Sequence, residues 1–243
     1  MPVGTELYRI PTLILLTVMV AVFAALWLER GRHPERGAAP QETPPARRRQ
    51  LLWLVGWMFA AIQMEMEVLG RGGTGIWLAV SRGAMQMAPL MFLGSLAPQY
   101  FTRKPRIQYV VAFGSPLILF AALVSFSPNP GHLAQGLLLA CAFWAALVAA
   151  RWSLYRNLLP EWLSLVVVAT VSSACVWLTW NRQYDAVLAL VHSGVLLMTA
   201  FLFASAFRRL TAGVLFTAGG LALWSLPVLL APLAAGAEAT TLL

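Results

Sequence analysis

The chain has 243 residues, of which 60% are hydrophobic and 11% are charged. Soluble globular domains are about 45–50% apolar and about 25% charged, so this composition excludes an ordinary water-soluble enzyme and a disordered tail. The formal net charge is +8, but most Lys and Arg residues lie in short connections between apolar runs. That distribution argues against a nucleic-acid binder and is typical of a polytopic membrane protein.

Eight apolar windows predict membrane-spanning helices, because a span needs about 20 predominantly apolar residues. Lipid offers the backbone no hydrogen-bond partners, so each window is expected to be helical. The predicted fold is therefore an all-α transmembrane bundle that forms a single domain over residues 1–243. In chain order the windows are Ile10–Leu28, Leu51–Gly70, Ile76–Pro98, Tyr109–Phe126, Leu133–Ala150, Leu163–Trp180, Ala186–Phe207 and Thr211–Ala231.

The basic residues predict the orientation of the bundle. Most of the 17 Lys and Arg residues fall in the first, third, fifth and seventh connections. The positive-inside rule assigns those connections to the cytoplasm. The N-terminus is then outside and, after eight crossings, so is Leu243. The basic residues on the outer side are Arg9, Arg71, Arg82 and Arg182.

The connection 29–50 is the one soluble-looking stretch of the sequence. It is rich in Pro, Arg, Glu and Gly and has no periodic apolar pattern, so we expect a disordered, basic cytoplasmic linker. Arg47, Arg48 and Arg49 precede the second window directly. We expect them to contact anionic lipid headgroups at the inner face, or only to set the topology.

Three ionisable residues within the windows are predicted at similar depth in the outer leaflet. At 1.5 Å per residue, Glu65, Arg82 and His192 lie about 7, 9 and 10 Å below the outer ends of their windows. Because the connection between the second and third windows is short, these helices are antiparallel neighbours, and we expect Glu65 to pair with Arg82. Gln63 is expected to add a hydrogen bond at that depth.

Two interpretations of this cluster stay open. Ionisable groups at membrane depth often mark functional sites, so Glu65, Arg82, His192 and Gln63 predict a polar cavity that binds a small polar or charged ligand from outside. Alternatively, the pair is structural and locks the packing of helices. Separately, Glu67 and Arg71 are one helical turn apart, which predicts a structural ion pair at the outer surface.

The sequence contains no catalytic motif, so the chain is not expected to be an enzyme. Within the windows His192 is the one histidine, which disfavours a haem, and no metal or other cofactor is expected. Cys141 and Cys175 lie in apolar windows, where free thiols usually act as small hydrophobic residues. The lipid bilayer is the expected partner, and a homodimer is compatible with the sequence.

Several segments resemble the N-terminal membrane region of bacterial GGDEF-type diguanylate cyclases, in particular acidobacterial ones. They are Leu7–Thr12, Arg82–Gln86, Met91–Phe101, His192–Ala200, Phe207–Arg209 and Trp224–Val228. The layout also resembles the multi-span input domains of membrane histidine kinases. The chain lacks the Gly-Gly-Asp/Glu-Glu-Phe signature, so it is not expected to make cyclic di-GMP itself.

The resemblance implies a sensory or input module of a signalling protein in the bacterial inner membrane. The cyclase output domain would follow one further crossing after Leu243. The alternative is a small transporter or an accessory subunit of a larger membrane complex. A transporter predicts a polar path that continues into the inner leaflet, which distinguishes it from a sensor with a site in the outer leaflet.

Overall fold

The computed structural model describes residues 44–69, 75–96, 104–127, 129–156, 160–206 and 214–226, together with residues 14, 17, 18, 20–22, 24, 25, 28 and 212. The regular secondary structure in these residues is entirely α-helical. The predicted all-α fold class is therefore confirmed for this part of the chain.

The described helices coincide with the eight predicted windows. Helix α1 includes the described residues between positions 14 and 28. The following helices are α2 (Pro44–Leu69), α3 (Ile76–Ser95), α4 (Lys104–Phe126), α5 (Gly131–Arg156), α6 (Glu161–Trp180) and α7 (Tyr184–Ala206), and the last is α8 (Val214–Leu226).

Several helices extend beyond the apolar windows. Helix α2 begins at Pro44, so the last residues of the predicted disordered linker are helical. Proline is tolerated in a first helical turn, where its missing N–H has no intrahelical partner. Residues 29–43 lie outside the described residues, so the rest of the linker stays a prediction.

Two of the described helices are both long and apolar enough to cross a membrane, Ile76–Ser95 and Tyr184–Ser205. Four others contain shorter apolar stretches of 10–17 residues. The all-helical architecture is thus observed, whereas the number of crossings stays a prediction.

Helix α3 packs against four other helices, α2, α4, α7 and α8. Ala88 and Phe92 share a core cluster with Ala60 of α2, and α4 contacts α3 as an antiparallel neighbour. Helix α7 runs parallel to α3, because Arg82 contacts Asp185 near the start of both helices and Phe92 shares a cluster with Leu196 farther along. Parallel packing of the third and seventh helices is what an alternating up-and-down path requires.

Candidate functional site

Arg82 joins three helices near the start of α3. Its Nη1 donates hydrogen bonds to the backbone oxygen of Val124 (3.1 Å) and to Oγ of Ser125 (3.2 Å), both in α4. Its Nη2 forms a salt bridge with Oδ1 of Asp185 in the first turn of α7. The Arg82 side chain is 16% exposed and that of Asp185 is 76% exposed. The pair therefore joins a largely buried cation to a carboxylate in contact with solvent.

The predicted pairing of Arg82 with Glu65 is wrong, because Arg82 takes its carboxylate partner from α7. The face of α3 that packs against α2 contains Ala88 and Phe92. At about 100° per residue, this face lies about a quarter to a third of a turn around the helix from Arg82. The Arg82 side chain is consequently directed to α4 and α7. Glu65 is half-buried on α2, and so is Gln63.

Below Arg82, two side chains cross the α3–α7 interface in opposite directions. Gln86 of α3 donates from Nε2 to the backbone oxygen of Leu188 in α7 (3.1 Å). His192 of α7 forms a 2.7 Å hydrogen bond through Nδ1 with the backbone oxygen of Met85 in α3. Each helix thus supplies a side chain that hydrogen-bonds to the backbone of the other.

Pro89 explains why the Met85 carbonyl accepts this bond. Pro89 lies inside α3 and has no N–H to donate to the carbonyl four residues earlier, which is that of Met85. His192 replaces the missing donor. Because a carbonyl can only accept, Nδ1 of His192 must carry the proton, and in the neutral ring Nε2 is then an acceptor.

Two acceptors at this level have no partner among the described residues. They are Oε1 of Gln86 and Nε2 of His192. Gln86 is 1% exposed and His192 is 0% exposed, so bulk water does not reach them. Buried polar atoms are normally hydrogen-bonded, and an unsatisfied one calls for an explanation.

An aromatic cluster adjoins His192 through Trp224. The ring of Trp224 in α8 contacts His192 edge-on, with 5.7 Å between centroids. Trp224 also stacks on Trp57 of α2 at 5.8 Å, and both contact Phe92. Such ring pairs add stability beyond their buried area, so this cluster ties α2, α3, α7 and α8 together around His192.

A hydroxyl chain joins α7 to α8 next to His192. Ser193 donates to the backbone oxygen of Ser225 (2.9 Å), and Ser225 donates to that of Ala222 (2.6 Å). Both serines are buried. The polar groups of the site thus extend from the exposed Asp185 to a neutral, buried interior.

The remaining residues predicted from the sequence lie either in the apolar core or outside the residues that the structure describes. The side chains of Glu67, Arg47, Arg48 and Arg49 and the whole of Arg71 are outside the described residues, so their predicted roles stay predictions. Cys141 and Cys175 are buried thiols within apolar core clusters. The described residues include no group of three or more His, Cys, Asp or Glu side chains suited to a metal ion.

Sequence reasoning missed Asp185, Gln86 and Pro89. Asp185 directly precedes the seventh window, and a long Arg side chain can reach from within a span to a group at the membrane surface. Pro89 within an apolar window also indicates that the carbonyl four residues earlier, that of Met85, needs a donor from elsewhere.

Comparisons of the chain with protein-family models, curated proteins and solved structures gave no match.

Proposed function

We propose that this chain is a multi-pass protein of the bacterial inner membrane that crosses the bilayer eight times with its N-terminus outside. Helices α2 to α7 have 20–26 residues, which at 1.5 Å per residue gives about 30–39 Å. The hydrocarbon core of a bilayer is about 30 Å thick. Their lengths therefore suit a membrane, even where polar residues lower the hydropathy of their ends.

The exposed face of α6 supports this assignment. Trp162 near one end and Trp180 at the other are exposed, as are Val166 and Val167 between them. The two tryptophans are 18 residues apart, or about 27 Å along a helix. Aromatic residues at both ends of an apolar face match the two interfaces of a bilayer.

The distribution of polarity supports it as well. The large exposed hydrophobic side chains occur in every described helix, whereas Gln86, His192, Ser193 and Thr199 are buried. Extensive exposed apolar surface on a protein marks contact with lipid or with partners. Polar side chains within spans usually face the interior of the bundle.

Within this membrane protein, we propose a sensory role for the α3–α7 interface. The observation that carries the proposal is the Arg82–Asp185 pair, in which a largely buried guanidinium is held by an exposed carboxylate. A small carboxylate or phosphate from the outer side can compete with Asp185, because guanidinium groups bind such oxyanions strongly. Ligand binding would then break one of the links between α3 and α7.

The signal in this proposal is a rearrangement of α3 against α7. A ligand shifts a conformational equilibrium only if its affinity differs between the two states. A competing anion meets this condition because it binds Arg82 only when Asp185 has withdrawn. The Gln86 and His192 hydrogen bonds lie directly below, so the change would reach the centre of the bundle.

The inner half of the interface favours a sensor over a transporter. The hydroxyls of Ser95 and Thr199 donate to carbonyls of their own helices, those of Phe92 and Val195. They are therefore already satisfied, and they do not extend a polar path toward the cytoplasm. The accessory-subunit alternative predicts instead that the protein co-purifies with a partner.

The ligand-binding role is tested with purified protein in lipid nanodiscs. Acetate and inorganic phosphate serve as probes, and unfolding is followed by tryptophan fluorescence. A ligand that binds the folded protein raises the Tm, and the stabilisation grows with the logarithm of one plus the ratio of the ligand concentration to Kd. We expect at least one anion to stabilise the wild type, Arg82→Gln to abolish the effect, and Asp185→Asn to strengthen anion binding by about fivefold, the equivalent of ~1 kcal/mol for an exposed pair.

The matched control is Arg182→Asn, which removes an exposed cation from the same side. Arg182 has a φ of 59°, and Asn tolerates this left-handed conformation. The control should respond to anions like the wild type. A purely structural pair predicts lower Tm values for Arg82→Gln and Asp185→Asn and no anion effect on any variant, and that result would overturn the ligand-binding role.

We further propose that the signal passes to a diguanylate cyclase domain, on the strength of the resemblance described above. The coding sequence after codon 243 tests this directly. One more apolar span followed by a Gly-Gly-Asp/Glu-Glu-Phe signature would support it. A stop codon at that point would contradict it, and proteins that co-purify with the chain would then be the place to look for its role.

A further inference from the structure

The two members of the Arg82–Asp185 pair are held in different ways. Nη1 of Arg82 donates to two groups of α4, the backbone oxygen of Val124 and Oγ of Ser125. Asp185 contacts Arg82 through one oxygen, Oδ1, and its side chain is 76% exposed. Arg82 is therefore a cation held in place against α4, whereas the Asp185 carboxylate can turn into solvent without breaking any other described hydrogen bond.

Both charged groups keep hydrogen-bonding capacity that the described residues do not use. A guanidinium has five N–H donors, and described partners engage three of those of Arg82. A carboxylate has about four acceptor positions, and a described partner occupies one of those of Asp185. A ligand that reaches the exposed end of the pair can therefore bond to both groups.

The charges of the pair favour a ligand that carries both signs. A simple anion bound to Arg82 leaves the displaced Asp185 carboxylate beside a second negative charge, and like charges at close range repel. A ligand with an additional ammonium group supplies that carboxylate with a cation of its own. The four charges then alternate in sign, and neither Arg82 nor Asp185 is left without an opposite charge.

We infer that the ligand of this site is a small amino acid in its zwitterionic form. Its carboxylate takes the place of Asp185 on Arg82, and its ammonium group binds the displaced Asp185 carboxylate. The inference rests on the proposed function and names the class of ligand. The hydrogen bonds of both new pairs are assisted by charge, which makes them stronger than bonds between neutral groups.

The inserted ligand gives the rearrangement of α3 against α7 a direction. Each helix binds one end of the amino acid, so a longer link through the ligand replaces the direct salt bridge. The ends of α3 and α7 near Arg82 and Asp185 then move apart. The Gln86 and His192 hydrogen bonds hold the interface farther down, so the movement is a tilt about that level.

A competing interpretation takes the second cation from the protein. Arg182 is exposed and precedes Asp185 by three residues in the connection between α6 and α7. If Arg182 receives the displaced carboxylate, the ligand needs no ammonium group, and a simple anion binds as well as an amino acid. The affinities for the two kinds of ligand therefore distinguish the interpretations.

The test compares glycine, acetate and methylammonium on the wild-type protein in nanodiscs, at neutral pH and constant ionic strength. Acetate lacks the ammonium group of glycine, and methylammonium lacks its carboxylate. We expect glycine to bind with a Kd about fivefold or more below that of either, the equivalent of ~1 kcal/mol for one exposed ion pair. Equal affinities for glycine and acetate would overturn the inference and leave the anion site intact. No binding of any probe, nor of phosphate, would overturn both.

Three variants locate the two charges. Asp185→Asn should bind acetate more tightly than the wild type and lose the preference for glycine, whereas Asp185→Glu keeps a carboxylate and should retain the preference. Arg182→Asn is the control and should retain it as well. A preference that persists in Asp185→Asn, or that disappears in Arg182→Asn, would overturn the inference. Both positions are exposed, so the variants should fold, and if Asp185→Asn does not, the wild-type and Arg182→Asn comparisons decide.

Discussion

The bond between His192 and the Met85 carbonyl predicts an energetic coupling between His192 and Pro89. The perturbations are His192→Leu, which removes the donor, and Pro89→Ala, which restores a backbone N–H to the position that can bond Met85. In the wild type His192 is the donor to this carbonyl, at 2.7 Å. In a Pro89→Ala background the helix can satisfy the same carbonyl itself.

The expected magnitude follows from the burial of the bond. Leaving a buried acceptor unsatisfied costs about 1–3 kcal/mol, so His192→Leu should lower the free energy of unfolding by about that amount in the wild type. When residue 89 is alanine, that part of the loss should disappear. The double-mutant cycle should therefore give a coupling energy of about 1–2 kcal/mol, with the double variant more stable than the two single changes predict.

The assay is equilibrium unfolding by SDS in mixed micelles, followed by far-UV circular dichroism on the wild type, both single variants and the double variant. His192→Asn serves as the control, because its amide retains a donor near the position of Nδ1 and should lose less stability than His192→Leu. Additivity within about 0.5 kcal/mol would refute the argument that His192 replaces the donor that proline lacks.

Two further predictions concern packing and topology. A Cβ on Gly56 would lie 2.5 Å from the ring of Phe92, so Gly56→Ala should lower the free energy of unfolding by about 1–3 kcal/mol. In contrast, a Cβ on Gly136 would meet no neighbouring atom within 4 Å. Gly136→Ala should therefore leave the free energy of unfolding unchanged or raise it by up to about 1 kcal/mol. Equal effects of the two changes in SDS unfolding would contradict the close packing of Gly56 against Phe92. For the topology, a membrane-impermeant maleimide applied to spheroplasts should label Arg182→Cys and should label Pro160→Cys only after permeabilisation. The opposite pattern would show the orientation to be wrong.

The positions of the helices could be predicted from hydropathy, but their ends could not. Apolar windows locate the segments that avoid water, and each window contains described helical residues. Helix α2 nevertheless begins at Pro44 and α5 continues to Arg156, several residues beyond the windows. Backbone hydrogen bonds continue through polar residues as readily as through apolar ones, so a hydropathy boundary does not mark the end of a helix.

The candidate site could be predicted only in part. Depth placed Arg82 and His192 in one region, and in the structure both residues contribute to the α3–α7 interface. The carboxylate partner was missed because depth does not specify which helices are neighbours. Glu65 comes from the helix adjacent in sequence, whereas Asp185 comes from a helix 103 residues later, and only the packing of the bundle brings it to Arg82.

That separation of 103 residues has a consequence for how the protein is made. At a synthesis rate of about 5–20 residues per second, α3 emerges about 5–20 s before the Asp185 carboxylate exists. During this interval Arg82 can bond only to groups that have already been synthesised. The α4 groups of Val124 and Ser125 appear about 40 residues after Arg82, well before Asp185. We therefore expect the α3–α4 hairpin to assemble first in the membrane and to shelter the guanidinium until α7 arrives. A nascent chain that stops before α7 should hold Arg82 through the α4 groups alone, without the opposite charge of Asp185.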